Sequence, residues 1–80
     1  MEGTIKERLL KRFTGAREKL GPNWKKRVKE ANPFYATDIG HVRMGNVAGA
    51  VTRPRSAGPD TIEQLVITME GILKEELAEV

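Results

Sequence analysis

The chain has 80 residues, no cysteine, one histidine and a formal net charge of +3 at pH 7. This length indicates one small domain, which buries only about 60% of the surface that its unfolded chain exposes. The absence of cysteine excludes disulfides and thiolate metal sites, so oligomerisation is the remaining common support for a small core. Met1 to Phe13 is charged, and no apolar run approaches the roughly 20 residues of a spanning helix. We therefore expect a soluble, cytoplasmic, nucleoid-associated protein with no membrane contact.

Charge is distributed unevenly along the chain. Residues 1–30 contain ten Lys and Arg against four acidic residues, whereas residues 59–80 contain one Lys against six acidic residues. A basic first part indicates contact with a polyanion, and an acidic tail indicates a separate role. An ordinary solvated surface explains the charges equally well.

The first predicted helix follows Thr4, which is placed to cap it, with Glu7 completing a capping box. The helix either breaks at Thr14-Gly15 or continues to Lys19. Apolar residues recur along it at helical spacing and predict its core face: Ile5, Leu9, Leu10, Phe13, Ala16 and Leu20.

A second helix is predicted from Trp24 to Ala31, after a firm stop at Gly21-Pro22. Asn23 is placed to cap it. Trp24, Val28 and Ala31 share one face and predict burial, while the other positions are charged. Asn32-Pro33 ends the helix, because the residue before a proline is pushed out of the helical region.

The segment from Tyr35 to Gly45 fits two structures. Thr37 or Asp38 is placed to cap a third helix in which Ile39 and Val42 point inward. Gly45-Asn46 is also a signal for a two-residue hairpin turn. Each glycine here costs a helix about 1 kcal/mol relative to Ala, so local propensity slightly favours the hairpin.

Residues 46–59, NVAGAVTRPRSAGP, are predicted to form an extended loop. A loop of this length is unusual in a small domain and indicates a functional arm or a short β-ribbon. Arg53 and Arg55 are suited to insertion into a narrow minor groove. A solvent-exposed loop with two charges is the slightly favoured alternative.

Residues 60–80 are predicted to form an amphipathic C-terminal helix, which Asp60 and Glu63 begin with a second capping box. About three turns of its apolar stripe, which starts at Ile62 and Leu65, are expected to cover the domain. The outer part is a candidate dimerisation element, with one long core helix as an equally good alternative. The predicted dimer contacts are Met69, Ile72, Leu73 and Leu77.

Signals for catalysis are weak. His41 is the only candidate general base, and no Ser or Cys nucleophile lies near it in the sequence. The glycines of residues 45–49 lack the following Lys-Ser/Thr of a phosphate-binding loop. We therefore expect a protein that is not an enzyme and that has no cofactor, no metal site and no small-molecule substrate.

The segment Asn23–Gly45 resembles the helix-turn-helix of phage repressor and Cro-type regulators. The resemblance rests on the spacing of a first-helix apolar residue, a turn, a following apolar residue and two aliphatics three apart: Val28, Pro33, Phe34, Ile39 and Val42. The chain is also similar to small phage-like helix-turn-helix proteins at Leu20, Trp24, Lys25 to Arg27, Val28, Ile39, Val42 and Gly45. It departs from the pattern at Pro33, where glycine is usual, and in the longer loop after Gly45.

The resemblance implies an all-α fold in which residues 1–80 form a single helix-turn-helix domain of about four helices. A long loop or short β-ribbon would precede the long C-terminal helix. It also implies a sequence-specific double-stranded DNA-binding protein, a homodimeric transcriptional regulator that reads the major groove with a helix around Thr37 to Met44.

The resemblance further implies which residues contact DNA. Base contacts are expected from Tyr35, Thr37, Gly40, His41, Arg43 and Met44. Phosphate contacts are expected from Asn23, Lys25, Lys26, Arg53 and Arg55. A protein-interaction module, such as a phage-type inhibitor or an adaptor acting through the acidic C-terminal helix, is the alternative function. RNA binding by the basic N-terminal helices is a third.

Overall fold

The computed structural model describes residues 3–78 and contains four α-helices. They are α1 (Ile5–Leu20), α2 (Trp24–Ala31), α3 (Asp38–Ala50) and α4 (Pro59–Ala78). Two short 3₁₀ turns join them, Pro33–Ala36 (the Pro33 turn) and Pro54–Ser56 (the Pro54 turn). The prediction of an all-α fold with four helices is therefore confirmed, and no β-ribbon forms among the described residues. None of the helices within residues 3–78 is long and apolar enough to cross a bilayer.

α1 begins at the predicted cap. The Thr4 hydroxyl accepts a hydrogen bond from the Glu7 N–H at 3.2 Å. The helix runs through Thr14-Gly15 without a break and ends at Gly21, whose N–H donates to the Arg17 carbonyl at 3.0 Å. Gly21 has a φ of 87°, the left-handed region in which a residue without a Cβ is unstrained. The predicted core face is correct except at its start, because Ile5 is 72% exposed.

α2 buries Trp24 and Val28, as predicted, whereas Ala31 is exposed. The ring of Trp24 packs edge-on against the ring of Phe13 of α1, with their centroids 5.4 Å apart. Asn23 occupies the N-cap position of α2, as predicted, but its side chain makes no capping hydrogen bond. Instead, the chain enters α2 through a turn in which the Trp24 N–H donates to the Gly21 carbonyl at 3.1 Å.

α3 differs from the prediction in both length and orientation. It continues through Gly45-Asn46 to Ala50, so Gly45 neither ends a helix nor turns a hairpin. Ile39 and Val42, predicted to point inward, are 62% and 58% exposed. The buried stripe is Gly40, Met44, Val47 and Ala50. A helix of this length buries four residues on that stripe, whereas a stripe through Ile39 and Val42 would next bury the amide of Asn46.

The segment predicted as an extended loop, residues 46–59, is mostly ordered. Its first five residues belong to α3, and the Pro54 turn follows at residues 54–56. The Lys6 ammonium donates to the Pro54 carbonyl at 2.8 Å, which ties this turn to the start of α1. Ala57 is buried. The segment is therefore a fixed connection in contact with α3, which corrects the prediction of an extended arm.

The core lies between α1 and α4, which form the largest helix–helix contact. α2, the Pro33 turn and α3 contribute further buried residues to it. α4 starts one residue before the predicted Asp60, and its first hydrogen bond joins the Ile62 N–H to the Gly58 carbonyl. From α4 the core receives Ile62, Leu65, Val66 and Met69, with Ile72 and Leu73 partly buried against it. Met69 is therefore a core residue, which corrects its assignment to a dimer interface.

Candidate nucleic-acid interface

The connection between α2 and α3, Asn32–Thr37, is six residues long and is held by local hydrogen bonds. The Asn32 side-chain carbonyl accepts from the Phe34 N–H at 3.1 Å. The Thr37 hydroxyl donates to the Phe34 carbonyl at 2.6 Å and accepts from the Gly40 N–H at 3.1 Å. Thr37 is thus the cap of α3, as the sequence predicted, and it fixes where the helix leaves the turn.

Gly40 allows α3 to lie directly against the Pro33 turn. A Cβ at this position would lie 2.6 Å from the Tyr35 Cα and 2.8 Å from the Phe34 carbonyl carbon, and closer still to the Phe34 carbonyl oxygen. Gly40 was predicted to contact a DNA base, whereas its close approach is to the backbone of the Pro33 turn. Gly40 is buried, so that predicted base contact is wrong.

The aromatic pair of the Pro33 turn divides between core and surface. Tyr35 is buried among the core residues, whereas Phe34 is partly exposed. Their rings pack edge to face with centroids 5.2 Å apart, and the Arg43 guanidinium lies 5.4 Å from the Phe34 centroid. Burial raises the pKa of the Tyr35 phenol above its ordinary value, and the charge of Arg43 partly opposes the shift.

Tyr35→Phe is expected to reduce the loss of stability that the protein shows in alkali. Above about pH 10 the unfolded Tyr35 ionises first while the folded one keeps its proton. The stabilisation is therefore complete below pH 10 and is lost as pH rises through the higher pKa of the folded state. Urea unfolding at pH 8 and pH 11 measures this, with the variant losing less stability than the wild type. An equal loss in both proteins would contradict the assignment.

Only three of the six predicted base-contacting residues are accessible. Thr37, His41 and Arg43 are exposed, although the Thr37 hydroxyl is already used by the cap. Tyr35, Gly40 and Met44 are buried and are removed from the set, because a side chain inside the core cannot reach a base edge. The error follows from the orientation of α3, which the sequence analysis placed with Ile39 and Val42 inward.

The outer face of α3 contains residues that the sequence analysis placed elsewhere. Ile39 and Val42 were assigned to the core and Asn46 to the loop, yet these three line one shallow hollow with Asp38 and Arg43. The sequence signal that would have found this face is the spacing of Gly40, Met44, Val47 and Ala50. Val47 and Ala50 lie beyond Gly45, so the pattern is recognised only when the helix is predicted to continue past that residue.

The predicted phosphate contacts are all exposed and fall into two groups. Asn23, Lys25 and Lys26 lie at the start of α2, where the Lys25 ammonium is 5.7 Å from the centroid of the Trp24 ring. Arg53 directly precedes the Pro54 turn and Arg55 lies within it, and this turn contacts α3. α1 separates the two groups. The first turn of α1 is hydrogen-bonded to the Pro54 turn, and three residues connect the last residue of α1 to α2. The 16 residues of α1 span about 24 Å.

Two acidic residues of α4 are paired within the chain. Glu70 receives two hydrogen bonds from the Arg12 guanidinium, at 2.6 and 3.2 Å, and raises the pKa of that group. Glu76 forms an ion pair with Arg27, which also donates to the Leu20 carbonyl at 3.4 Å. Two basic residues of the first part of the chain therefore pair with two acidic residues of α4, and these ion pairs join α4 to α1 and α2.

Within residues 3–78, no three His, Asp or Glu side chains form a group that could hold a metal ion. Comparison of the chain with models of protein families, with curated proteins and with solved structures finds no match.

Proposed function

We propose that the protein binds double-stranded DNA in a sequence-specific manner and acts as a transcriptional regulator, with α3 in the major groove. The observation that carries the proposal is the accessible surface of α3. Ile39, Val42 and Asn46 share one hollow there with Asp38 and Arg43. His41 is exposed on the same helix. The amide and the aliphatic side chains suit contacts with base edges in the major groove, which is wide enough for a helix.

The elements around α3 support the same proposal. α2, the Pro33 turn and α3 follow the order of a helix-turn-helix, with six residues between the helices where three or four are usual. Thr37 and Gly40 hold the start of α3 rigidly against that turn. A reading helix needs such support, because base recognition depends on precise placement of its side chains.

Charge supports it as well. Glu70 and Glu76 are paired within the chain, and Lys25 and Lys26 of α2 are exposed, as are Arg53 and Arg55. These four cations are the candidates for phosphate contacts beside α3. Phosphate neutralisation by Lys and Arg supplies most of the sequence-independent affinity for DNA. The fixed position of the Pro54 turn favours contacts of Arg53 and Arg55 with the backbone, in place of an arm inserted into the minor groove.

Replacing Lys25 and Lys26 together by Ala is expected to weaken binding to all duplex sequences and to lower the slope of log K against log salt by about 2. The reason is that each lysine that neutralises a phosphate releases nearly one counterion. Titrations of random duplex DNA at several salt concentrations measure the slope. Lys74→Ala, which removes an exposed lysine of α4, is the control and should leave the slope unchanged. Wild-type affinity that does not respond to salt would refute the proposed function.

The proposed regulator is a homodimer whose two copies associate at the outer end of α4, where Leu77 is 76% exposed. Ile72 and Leu73 are partly buried against the core of their own protomer, so each presents only part of its side chain to a second copy. Dimeric helix-turn-helix proteins bind two half-sites about one helical turn apart. A second copy would add a second reading helix in that arrangement.

The same observation supports the second candidate function, a protein-interaction module that uses this end of α4. Leu77 lies there beside the exposed Lys74, Glu75 and Glu76, an amphipathic surface that suits a protein partner. The two candidates differ in the titration described above. Absence of duplex binding at low salt, together with a protein partner retained after nuclease treatment, would favour the interaction module.

A further inference from the structure

Ile39, Val42 and Asn46 form a stripe along the outer face of α3. They follow one another at steps of three and four residues and line the same shallow hollow. Ile39 and Val42 are 62% and 58% exposed, whereas the opposite face of the helix is fully buried. Two adjacent β-branched side chains and an amide therefore share one accessible surface about two turns long.

This stripe has no evident role in stabilising the protomer. Its aliphatic carbons stay in water, and Ile and Val favour a helix less than Leu or Ala would at an exposed position. Scattered single apolar residues on a surface are ordinary. Here two lie one turn apart, followed by Asn46 one turn further, on the helix face that the proposed function directs into the major groove. The chemistry of these three side chains therefore indicates which base-pair edges they would contact.

We propose that this stripe reads A·T base pairs, with Ile39 and Val42 against the C5-methyl groups of thymine and Asn46 paired with adenine. The proposal rests on the proposed function. In the major groove thymine alone of the four standard bases presents a methyl group, which apolar side chains contact. The side-chain amide of Asn46 can donate to N7 and accept from N6–H₂ of adenine at once, which is the pattern only adenine offers.

The charged neighbours of the stripe fit this reading. Arg43, which would select guanine if it pointed into the groove, has its guanidinium over the Phe34 ring, toward the Pro33 turn. Asp38 lies in the first turn of α3, where the helix dipole stabilises a carboxylate. The other residues that line the hollow, Ile39, Val42 and Asn46, are two aliphatic side chains and one amide. The same chemistry predicts a preference for DNA over RNA, because uracil lacks the methyl group and the major groove of A-form RNA is too narrow.

The test begins with selection of bound sites from a random duplex DNA library by the full chain. Each thymine of the enriched site is then replaced by deoxyuridine, which removes only the C5-methyl group. We expect affinity to fall about fourfold for each contacted methyl. The loss should disappear at one thymine in Ile39→Ala and at another in Val42→Ala. Ile67→Ala, which removes an exposed β-branched side chain from α4, is the control and should keep the full loss.

A second test examines the pairing of Asn46 with adenine, which should discriminate a thymine site from a 5-methylcytosine site that carries the same methyl group. Replacing the recognised T·A pair by 5-methylcytosine·G keeps the methyl group but removes the adenine. Binding of the wild type should therefore be weaker than to the T·A site by at least about fivefold. In Asn46→Ala the T·A and 5-methylcytosine·G sites should bind about equally.

Three results would overturn the inference while leaving duplex binding intact. These are an enriched site of G·C pairs, a deoxyuridine effect that Ile39→Ala and Val42→Ala do not change, and a self-associated protein that those variants dissociate. Failure of the library to bind at any salt concentration would instead remove the proposed function, and the inference with it.

Discussion

Replacing Gly40 by Ala is expected to lower the free energy of unfolding by about 3 kcal/mol. The added Cβ would approach the backbone of Phe34 and Tyr35 to less than 3 Å. Backbone atoms cannot rotate away as the end of a flexible side chain can, so α3 or the Pro33 turn must move. The cost is a large part of the roughly 5–15 kcal/mol that stabilises a typical domain.

Gly45→Ala is the matched control for this prediction, since it makes the same chemical change in the same helix. Gly45 is exposed, and a Cβ there would meet no atom within 4 Å. Ala favours the interior of a helix over Gly by about 1 kcal/mol, so this variant should be more stable than the wild type. Urea unfolding followed by circular dichroism compares the two. Similar stability of both variants would show that α3 does not lie against the Pro33 turn.

Met44→Ala is expected to destabilise the protein by about 2–5 kcal/mol, whereas Val42→Ala should change its stability by less than about 0.5 kcal/mol. Met44 is fully buried in the core, and its truncation would leave a cavity beside the other buried residues of α3. Val42 is more than half exposed. The pair therefore measures directly which face of α3 is buried.

The sequence pattern, interpreted with a helix that ends at Gly45, predicts the opposite order, with Val42 buried and Met44 facing the groove. Thermal and urea unfolding of the two variants distinguish these orientations. A larger loss for Val42→Ala would restore Tyr35, Gly40 and Met44 to the reading surface and would remove Ile39 and Val42 from it. The thymine-methyl inference would then have no surface to rest on.

The sequence by itself determined the number of helices and most of their limits. Gly21-Pro22 and Pro33 end helices, and the hydroxyls of Thr4 and Thr37 accept hydrogen bonds from N–H groups in the first turns of α1 and α3. These effects are local. The apolar stripes of α1 and α4 were also predictable. Each is long and nearly free of polar interruptions, so only one face of the helix is suited to burial.

The tertiary structure alone decided the end and the orientation of α3. Its local propensity is poor because of its glycines, and its two faces are similarly apolar. The choice depends on contacts far away in the sequence, chiefly the fit of Gly40 against the Pro33 turn and of Met44 and Val47 in the core beneath. The residues of the candidate reading surface follow from that packing. Local pattern can place a helix along the chain, but only the packing of the whole core selects which of two apolar faces it buries.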